Sequence, residues 1–125
     1  MYMTCSLLLV EDESELLEIF TRRFERRGYQ VVGCASVDRL LDIAAEQPID
    51  VAVMDRTLRG RDAVSLISGL RAIHSHVKVI VLSGRADQGS IDQARAAGAN
   101  EYLAKPCSFA DLEAAVQRAY QVMAS

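Results

Sequence analysis

A chain of 125 residues, half of them hydrophobic and a quarter charged, has the size and make-up of one globular domain spanning 1–125, with a core that needs no metal or disulfide staple. A formal charge of −3 argues against nonspecific binding to nucleic acid or an acidic membrane, because no net basic surface is available to neutralise phosphates. An odd count of three cysteines without a C-x-x-C pair gives neither a disulfide framework nor a zinc site and fits a reducing, cytoplasmic setting, and with no basic N-terminal region and no apolar run near ~18 residues neither export nor a membrane span is expected.

Residues 5–10 form a continuous apolar run, as expected of a parallel strand buried on both faces, and the acids Glu11, Asp12 and Glu13 end it. From Ser14, the residues Leu16, Leu17, Phe20 and Phe24 recur at helical spacing, with Gly28 as the C-terminal stop. A second strand follows at 29–34, and Ser36 opens a second helix carrying Leu40, Leu41, Ala44 and Ala45 before Pro48. The third strand, Val51 to Met54, is stopped by the carboxylate of Asp55. Beyond a polar loop around Gly60, Val64, Ile67, Leu70 and Ile73 mark a third helix. The fourth strand is predicted at 77–82, ending on Ser83, and a short alanine-rich helix at 87–97, stopped by Gly98. A fifth strand at 101–104 ends at Lys105 and Pro106; Ser108 with Asp111 then opens a last helix that buries Leu112, Ala115, Val116 and Ala119.

Strict alternation of strands and helices through short turns specifies an α/β fold: a doubly wound, five-stranded parallel sheet with five helices and right-handed crossovers. The flavodoxin-like order 2-1-3-4-5 suits it, and in that architecture ligands collect beyond the carboxyl ends of strands one and three. Those ends carry Glu11, Asp12 and Asp55, with Ser83 and Lys105 at the ends of strands four and five.

Three carboxylates on one rim repel one another; at ~4 Å and an effective dielectric near ~20, each pair costs about 4 kcal/mol. A divalent cation removes that penalty, and hard oxygen donors with room for water and phosphate oxygens suit Mg²⁺. Asp12 and Asp55 are the expected direct ligands, with Glu11 acting directly or through water. An Asp55 oxygen is then able to attack phosphorus while the metal and the Lys105 ammonium neutralise the transferring group and Ser83 donates its hydroxyl.

The stretches Val10-Glu11-Asp12-Glu13, Val53-Met54-Asp55, Val81-Leu82-Ser83-Gly84 and Tyr102-Leu103-Ala104-Lys105-Pro106 resemble the receiver domain of two-component response regulators, in order and over essentially the whole chain. The resemblance implies that Asp55 is the phosphoacceptor, that Glu11 and Asp12 form the acidic pocket, that Thr57 lends its backbone carbonyl to the metal, and that Ser83 and Lys105 bind the phosphoryl group. It makes Tyr102 the aromatic switch that responds to Ser83 and reshapes the surface of helix four, strand five and helix five, and Lys105-Pro106 a cis peptide bond. It implies a sensor histidine kinase or histidine phosphotransfer protein as donor, a downstream protein or output domain as receptor of the signal, and a monomer or phosphorylation-dependent dimer. Two positions depart from the pattern: Arg59 and Ala63 stand where receivers commonly have proline and glycine, which places any peculiarity of this chain in the loop after Asp55.

Plainer readings stand beside these. Glu11 and Asp12 serve equally as acids at a helix N-terminus, Lys105 as a solvated charge, Ser83 as a turn residue and Tyr102 as core edge. Arg22, Arg23, Arg26 and Arg27 form a basic face on the first helix, which the family uses to meet a phosphodonor; singly they read as solvated partners of Glu18 and Glu25. His74 and His76 read as surface residues, Cys5 and Cys34 as small core hydrophobes, and Cys107 as more accessible without being reactive. The function expected is a phosphorylation-controlled binding switch with modest intrinsic phosphotransfer, not a multiple-turnover enzyme. The alternatives are a Mg²⁺-dependent phosphohydrolase with an aspartyl nucleophile, which lacks an acid two residues beyond Asp55, and a receiver that signals without phosphorylation. An FMN-binding flavodoxin is disfavoured by the acids where its phosphate loop belongs. The end at Ser125 leaves two expectations open, a complete single-domain regulator or a receiver from a longer protein.

Overall fold

Seven strands and five α-helices follow one another in the computed structural model, which describes residues 4–124: β1 Ser6–Val10, α1 Ser14–Arg26, β2 Gln30–Cys34, α2 Val37–Ala45, β3 Val51–Asp55, β4 Thr57–Leu58, β5 Arg61–Asp62, α3 Ile67–Ile73, β6 Lys78–Ser83, α4 Gln88–Ala96, β7 Glu101–Ala104 and α5 Phe109–Ala124. Residues 1–3 and 125 of the expected 1–125 domain lie outside this description. Five strands pair in parallel in the order β2-β1-β3-β6-β7, which is the order expected from the alternation once the small β4-β5 pair is set aside. The register aligns Val10 with Met54, Asp55 with Leu82, and Ser83 with Ala104, bringing the polar strand ends to one rim.

The sheet is apolar on both faces because each strand sends alternate side chains to different layers. Leu8, Val10, Ala52, Met54, Val79 and Val81 meet Leu40 and Ala44 of α2, Ile67 and Leu70 of α3, and Ala94 of α4. Leu7, Leu9, Val51, Val53, Ile80 and Leu82 meet Phe24 of α1 and Leu112, Ala115 and Val116 of α5. Full burial of side chains of this size is worth about 1.5–3 kcal/mol each. Phe24 is the anchor of the second layer, 4.7 Å from the Phe109 ring and 5.1 Å, edge-on, from Tyr29.

Local chemistry sets the helix ends. Ser36 caps α2 by accepting the Asp38 N–H at 3.2 Å, Asp87 caps α4 by accepting the Ser90 N–H at 3.0 Å, and Ser108 caps α5 through the Asp111 N–H at 3.1 Å.

Three expectations need correction. The stretch around Gly60 is a two-stranded antiparallel hairpin, Thr57–Leu58 with Arg61–Asp62, and not an irregular polar loop. Arg59 and Gly60 at its tip both have positive φ, 50° and 79°, the backbone of a two-residue I′ turn whose twist matches the strands. The third helix does not begin at Val64: residues Ala63–Leu66 form a 3₁₀ turn, with the Asp62 carboxylate accepting the Val64 N–H at 3.0 Å. A turn that must close directly after the hairpin takes the tighter winding. His74 is half-buried and not a plain surface residue, because its Nε2 lies 2.6 Å from the Ala44 carbonyl oxygen and ties α3 to the end of α2.

Candidate functional site

Asp55 closes β3 and is buried, since its strand is flanked on both sides and covered on both faces. Its Oδ2 accepts a hydrogen bond from Lys105 Nζ at 2.9 Å, across a sequence separation of 50 residues. The same ammonium lies 3.8 Å from Glu11 Oε1. Lys105 reaches this position from the end of β7, where its N–H bonds the Ser83 carbonyl at 2.8 Å and its bond to Pro106 is cis.

Glu11, just past β1, is buried, held by its own N–H to the Cys34 carbonyl at 3.0 Å. Its Oε2 accepts the Glu13 N–H at 3.2 Å. Burial, reinforced by the Asp55 charge, pushes the Glu11 carboxyl from 4.5 up to about 7. Asp12 is half-buried and behaves oppositely: the Arg59 N–H donates to its Oδ2 at 2.8 Å and holds its carboxyl below the ordinary range. Burial works against the Lys105 charge, but Asp55, Glu11 and Asp12 outweigh it and raise its pKa.

One oxygen from each of Glu11, Asp12 and Asp55 falls in a group within 4.8 Å. Three carboxylates therefore face a single ammonium at the rim. Their separations and their hard oxygens fit a divalent cation of the Mg²⁺ or Ca²⁺ type, which would compensate the buried charge of Glu11 and its repulsion with Asp55.

Ser83 ends β6 and is buried; its Oγ accepts the Arg85 N–H at 3.1 Å. Tyr102, in β7, is half-buried against the first core layer, and its hydroxyl donates to the Arg85 carbonyl. Thr57 is exposed in the β4-β5 hairpin, opposite Asp62. The structure thus gathers carboxylate oxygens of Glu11, Asp12 and Asp55 within 4.8 Å of one another, with Lys105 on Asp55 and near Glu11, and links Ser83 and Tyr102 to each other through Arg85.

Such a cluster, at the carboxyl ends of central strands, belongs to a recognisable group of proteins. Residues 7–117 match the family model described as the response regulator receiver domain. The chain belongs to that family. This receiver is 36% identical over 116 residues to the transcriptional regulatory protein KdpE of Mycobacterium tuberculosis, an alignment covering 90% of this chain and 51% of KdpE. It therefore spans about half the length of that relative. A response regulator from Burkholderia pseudomallei, solved with a phosphorylated aspartic acid, calcium ion and citrate, superposes with a TM-score of 0.84 at 30% identity, over 96% of this chain and 71% of that one. A CheY-like receiver from Methanospirillum hungatei has the same fold, with a TM-score of 0.89 at 21% identity and 97% of both chains covered.

Residues away from the pocket separate into those that are engaged and those that are free. On α1, Arg22 pairs with Glu18 at 2.5 Å and the Arg23 guanidinium stacks 4.3 Å from the Phe109 ring, and just past its end Arg27 pairs with Glu113 at 3.2 Å. No ion pair forms to Glu25 among the described residues. The three cysteines are free thiols; burial pushes Cys5 up to about 12 and raises Cys34 and Cys107, so none of them is a poised nucleophile. No helix among the described residues is long and apolar enough to cross a membrane.

Two functional contacts escape a reading of the sequence. The Arg59 N–H on Asp12 depends on a positive-φ backbone that arginine seldom adopts. Arg56 is buried directly after β3 and hydrogen-bonds the Ser90 carbonyl in the first turn of α4. The one available signal was a charged residue directly after an apolar strand.

Proposed function

We propose that this receiver is a phosphorylation-controlled switch in which Asp55 accepts a phosphoryl group from the phosphohistidine of a sensor kinase or a histidine phosphotransfer protein. The observation that carries this reading is the 2.9 Å contact between Lys105 Nζ and Asp55 Oδ2, inside a group of three carboxylates. A nucleophilic carboxylate needs a fixed cation to receive the charge of the incoming group, and Lys105 is that cation. The response regulator of B. pseudomallei that carries a phosphorylated aspartic acid and a calcium ion supports both the acceptor type and the metal-binding pocket.

In the transfer, an Asp55 oxygen forms a bond to phosphorus as the phosphorus–nitrogen bond of phosphohistidine breaks, and the imidazole leaves with the electron pair. Lys105 moves from pairing the free carboxylate to pairing a phosphoryl oxygen. Ser83 exchanges its bond with the Arg85 N–H for a bond from its hydroxyl to another phosphoryl oxygen. Glu11, Asp12, Asp55 and the backbone carbonyl of Thr57 would hold Mg²⁺, which supplies charge neutralisation to the transferring phosphoryl group. Thr57, two residues beyond the acceptor, is not the second acid that aspartyl phosphohydrolases usually carry there, which favours a switch over repeated hydrolysis of phosphate monoesters.

The signal passes outward because Ser83 and Tyr102 share Arg85: the Ser83 oxygen accepts its N–H and the Tyr102 hydroxyl donates to its carbonyl. Drawing Ser83 toward the phosphoryl group disturbs the segment that holds Tyr102, which alters the α4-β7-α5 surface offered to a downstream protein or output domain. Incubation with acetyl phosphate and Mg²⁺ is expected to add one phosphate, detected by mass spectrometry, and Asp55→Asn should abolish it. Undiminished labelling of that variant would refute the assignment.

A further inference from the structure

The guanidinium of Arg56 sits one residue beyond the phosphoacceptor, with its side chain only 9% exposed, and it engages three groups. Its Nη1 donates to the Ser90 carbonyl of α4 at 2.8 Å. Its Nη2 donates to the Gln93 side-chain oxygen, also on α4, and lies 3.4 Å from Asp62 Oδ2 at the end of the hairpin. Tyr102 lies close enough to the same fork to help hold the guanidinium charged. Arg56 therefore ties α4 to the hairpin, with the candidate switch tyrosine beside the knot.

A buried guanidinium is tolerated only when its N–H fork is satisfied, because an uncompensated buried charge costs several kcal/mol. Here no buried side-chain polar atom among the described residues lacks a partner. The backbone of Arg56 is pinned as well: its N–H bonds the Leu82 carbonyl at 2.8 Å, next to Ser83, and its carbonyl accepts the Ala63 N–H at 2.7 Å. With the root of the side chain fixed, a shift of α4 or a turn of Tyr102 must break partners of the guanidinium.

Resting on the reading of Asp55 as phosphoacceptor, we infer that Arg56 is a positioning residue that clamps α4 and Tyr102 in their unphosphorylated arrangement, and that phosphorylation is read out by release of this clamp. The clamp biases the molecule against the phosphorylated arrangement, so loosening it favours phosphorylation. An interaction that only supported the fold would act in the opposite direction, since damage to the fold weakens ligand binding. The sign of the effect separates the two.

The test uses beryllofluoride with Mg²⁺ as the phosphoryl mimic, with its affinity read by calorimetry and amide hydrogen exchange of α4 read by mass spectrometry. Arg56→Met is expected to tighten beryllofluoride binding by about tenfold, the shift that loss of a charge-assisted hydrogen bond produces in a two-state equilibrium. It should also speed α4 exchange in the unliganded protein. Gln93→Leu, which cuts the same knot from the α4 side and carries the test if Arg56→Met does not fold, should act in the same direction by a smaller factor. The double variant should bind no more tightly than Arg56→Met alone, because both changes remove one interaction. Arg56→Lys, which keeps the charge without the fork, should fall between wild type and Arg56→Met. Unchanged or weaker beryllofluoride binding by folded Arg56→Met and Gln93→Leu would overturn the clamp alone. Absence of beryllofluoride binding by the wild type would overturn the Asp55 reading and the readout with it.

Discussion

Two charged clusters lie on either side of the end of β3, and they are balanced in opposite ways. On the Asp55 side three carboxylates meet one ammonium, and burial together with the Asp55 charge pushes the Glu11 carboxyl up to about 7. On the Arg56 side one guanidinium meets three acceptors, with Tyr102 beside it, and its charge is supported. In the proposed switch, the deficit receives the ligand and the saturated cluster must be undone when it arrives. Adjacent residues of one strand end take these two parts because successive side chains point to opposite faces.

The sharpest way to break the contrast is to remove the Lys105 ammonium from the deficient side. Lys105→Met should lower the rate of phosphoryl incorporation from acetyl phosphate by about 10²- to 10³-fold, the usual cost of deleting one preorganised group that stabilises transition-state charge. Single-turnover kinetics followed by mass spectrometry measures it, and a loss of less than tenfold would remove Lys105 from the transition state. The folded structure should survive, because the side chain is one-third exposed and its loss leaves room for water.

The hairpin tip comes next in size. Arg59 holds φ at 50° and gives its N–H to Asp12, and proline, the residue receivers commonly have here, satisfies neither requirement. Arg59→Pro should therefore destabilise the protein by about 3 kcal/mol and bring the Asp12 carboxyl back toward its ordinary range. Arg59→Gly, free of the left-handed penalty, should instead stabilise it by up to about 1 kcal/mol. Urea unfolding of the two variants settles the pair, and a stable Arg59→Pro protein would show that the hairpin can be rebuilt.

The smallest effect concerns Glu11 and pH. Its folded-state carboxyl titrates near 7 against 4.5 for the free group, so between those values the folded protein binds a proton that the unfolded chain has released. Stability without metal should consequently fall as pH rises from about 4.5 to about 7 and level off above. Glu11→Gln should flatten that slope and raise the melting temperature at pH 8 in chelator by about 4 °C, the change that ~1 kcal/mol makes in a domain of this size. Addition of Mg²⁺ should raise the wild type and leave the variant less affected. Melting curves across the pH range check both statements, and a flat wild-type profile would contradict the burial of the Glu11 charge.

Much of the fold was legible in the residues because burial is periodic. Continuous apolar runs announced the strands, 3.6-residue stripes announced the helices, and Gly28, Ser36, Gly98 and Ser108 punctuated them where the structure places helix ends. The polar residues at strand ends were legible for the same reason: a parallel sheet delivers all its carboxyl ends to one rim, so Glu11, Asp12, Asp55, Ser83 and Lys105 had to be neighbours once the order was known.

Contacts whose partners come from separate elements were not legible. The hairpin after Asp55 carries no alternating pattern over its two-residue strands, and its turn uses Arg59 where Asn or Gly would have signalled it. Nothing in the spacing of His74 points to the Ala44 carbonyl. Arg56 is the clearest instance. By sequence it is a charge at the start of a loop, and only the packing of α4, β5 and β7 around the end of β3 makes it a buried hub. The sequence by itself determined the layers, the strand order and the rim on which the acids meet, since those follow from hydrophobic period and the handedness of crossovers. The tertiary structure alone decided which charges there are left in need of a ligand and which are already satisfied, since that depends on desolvation and on hydrogen-bond partners tens of residues away.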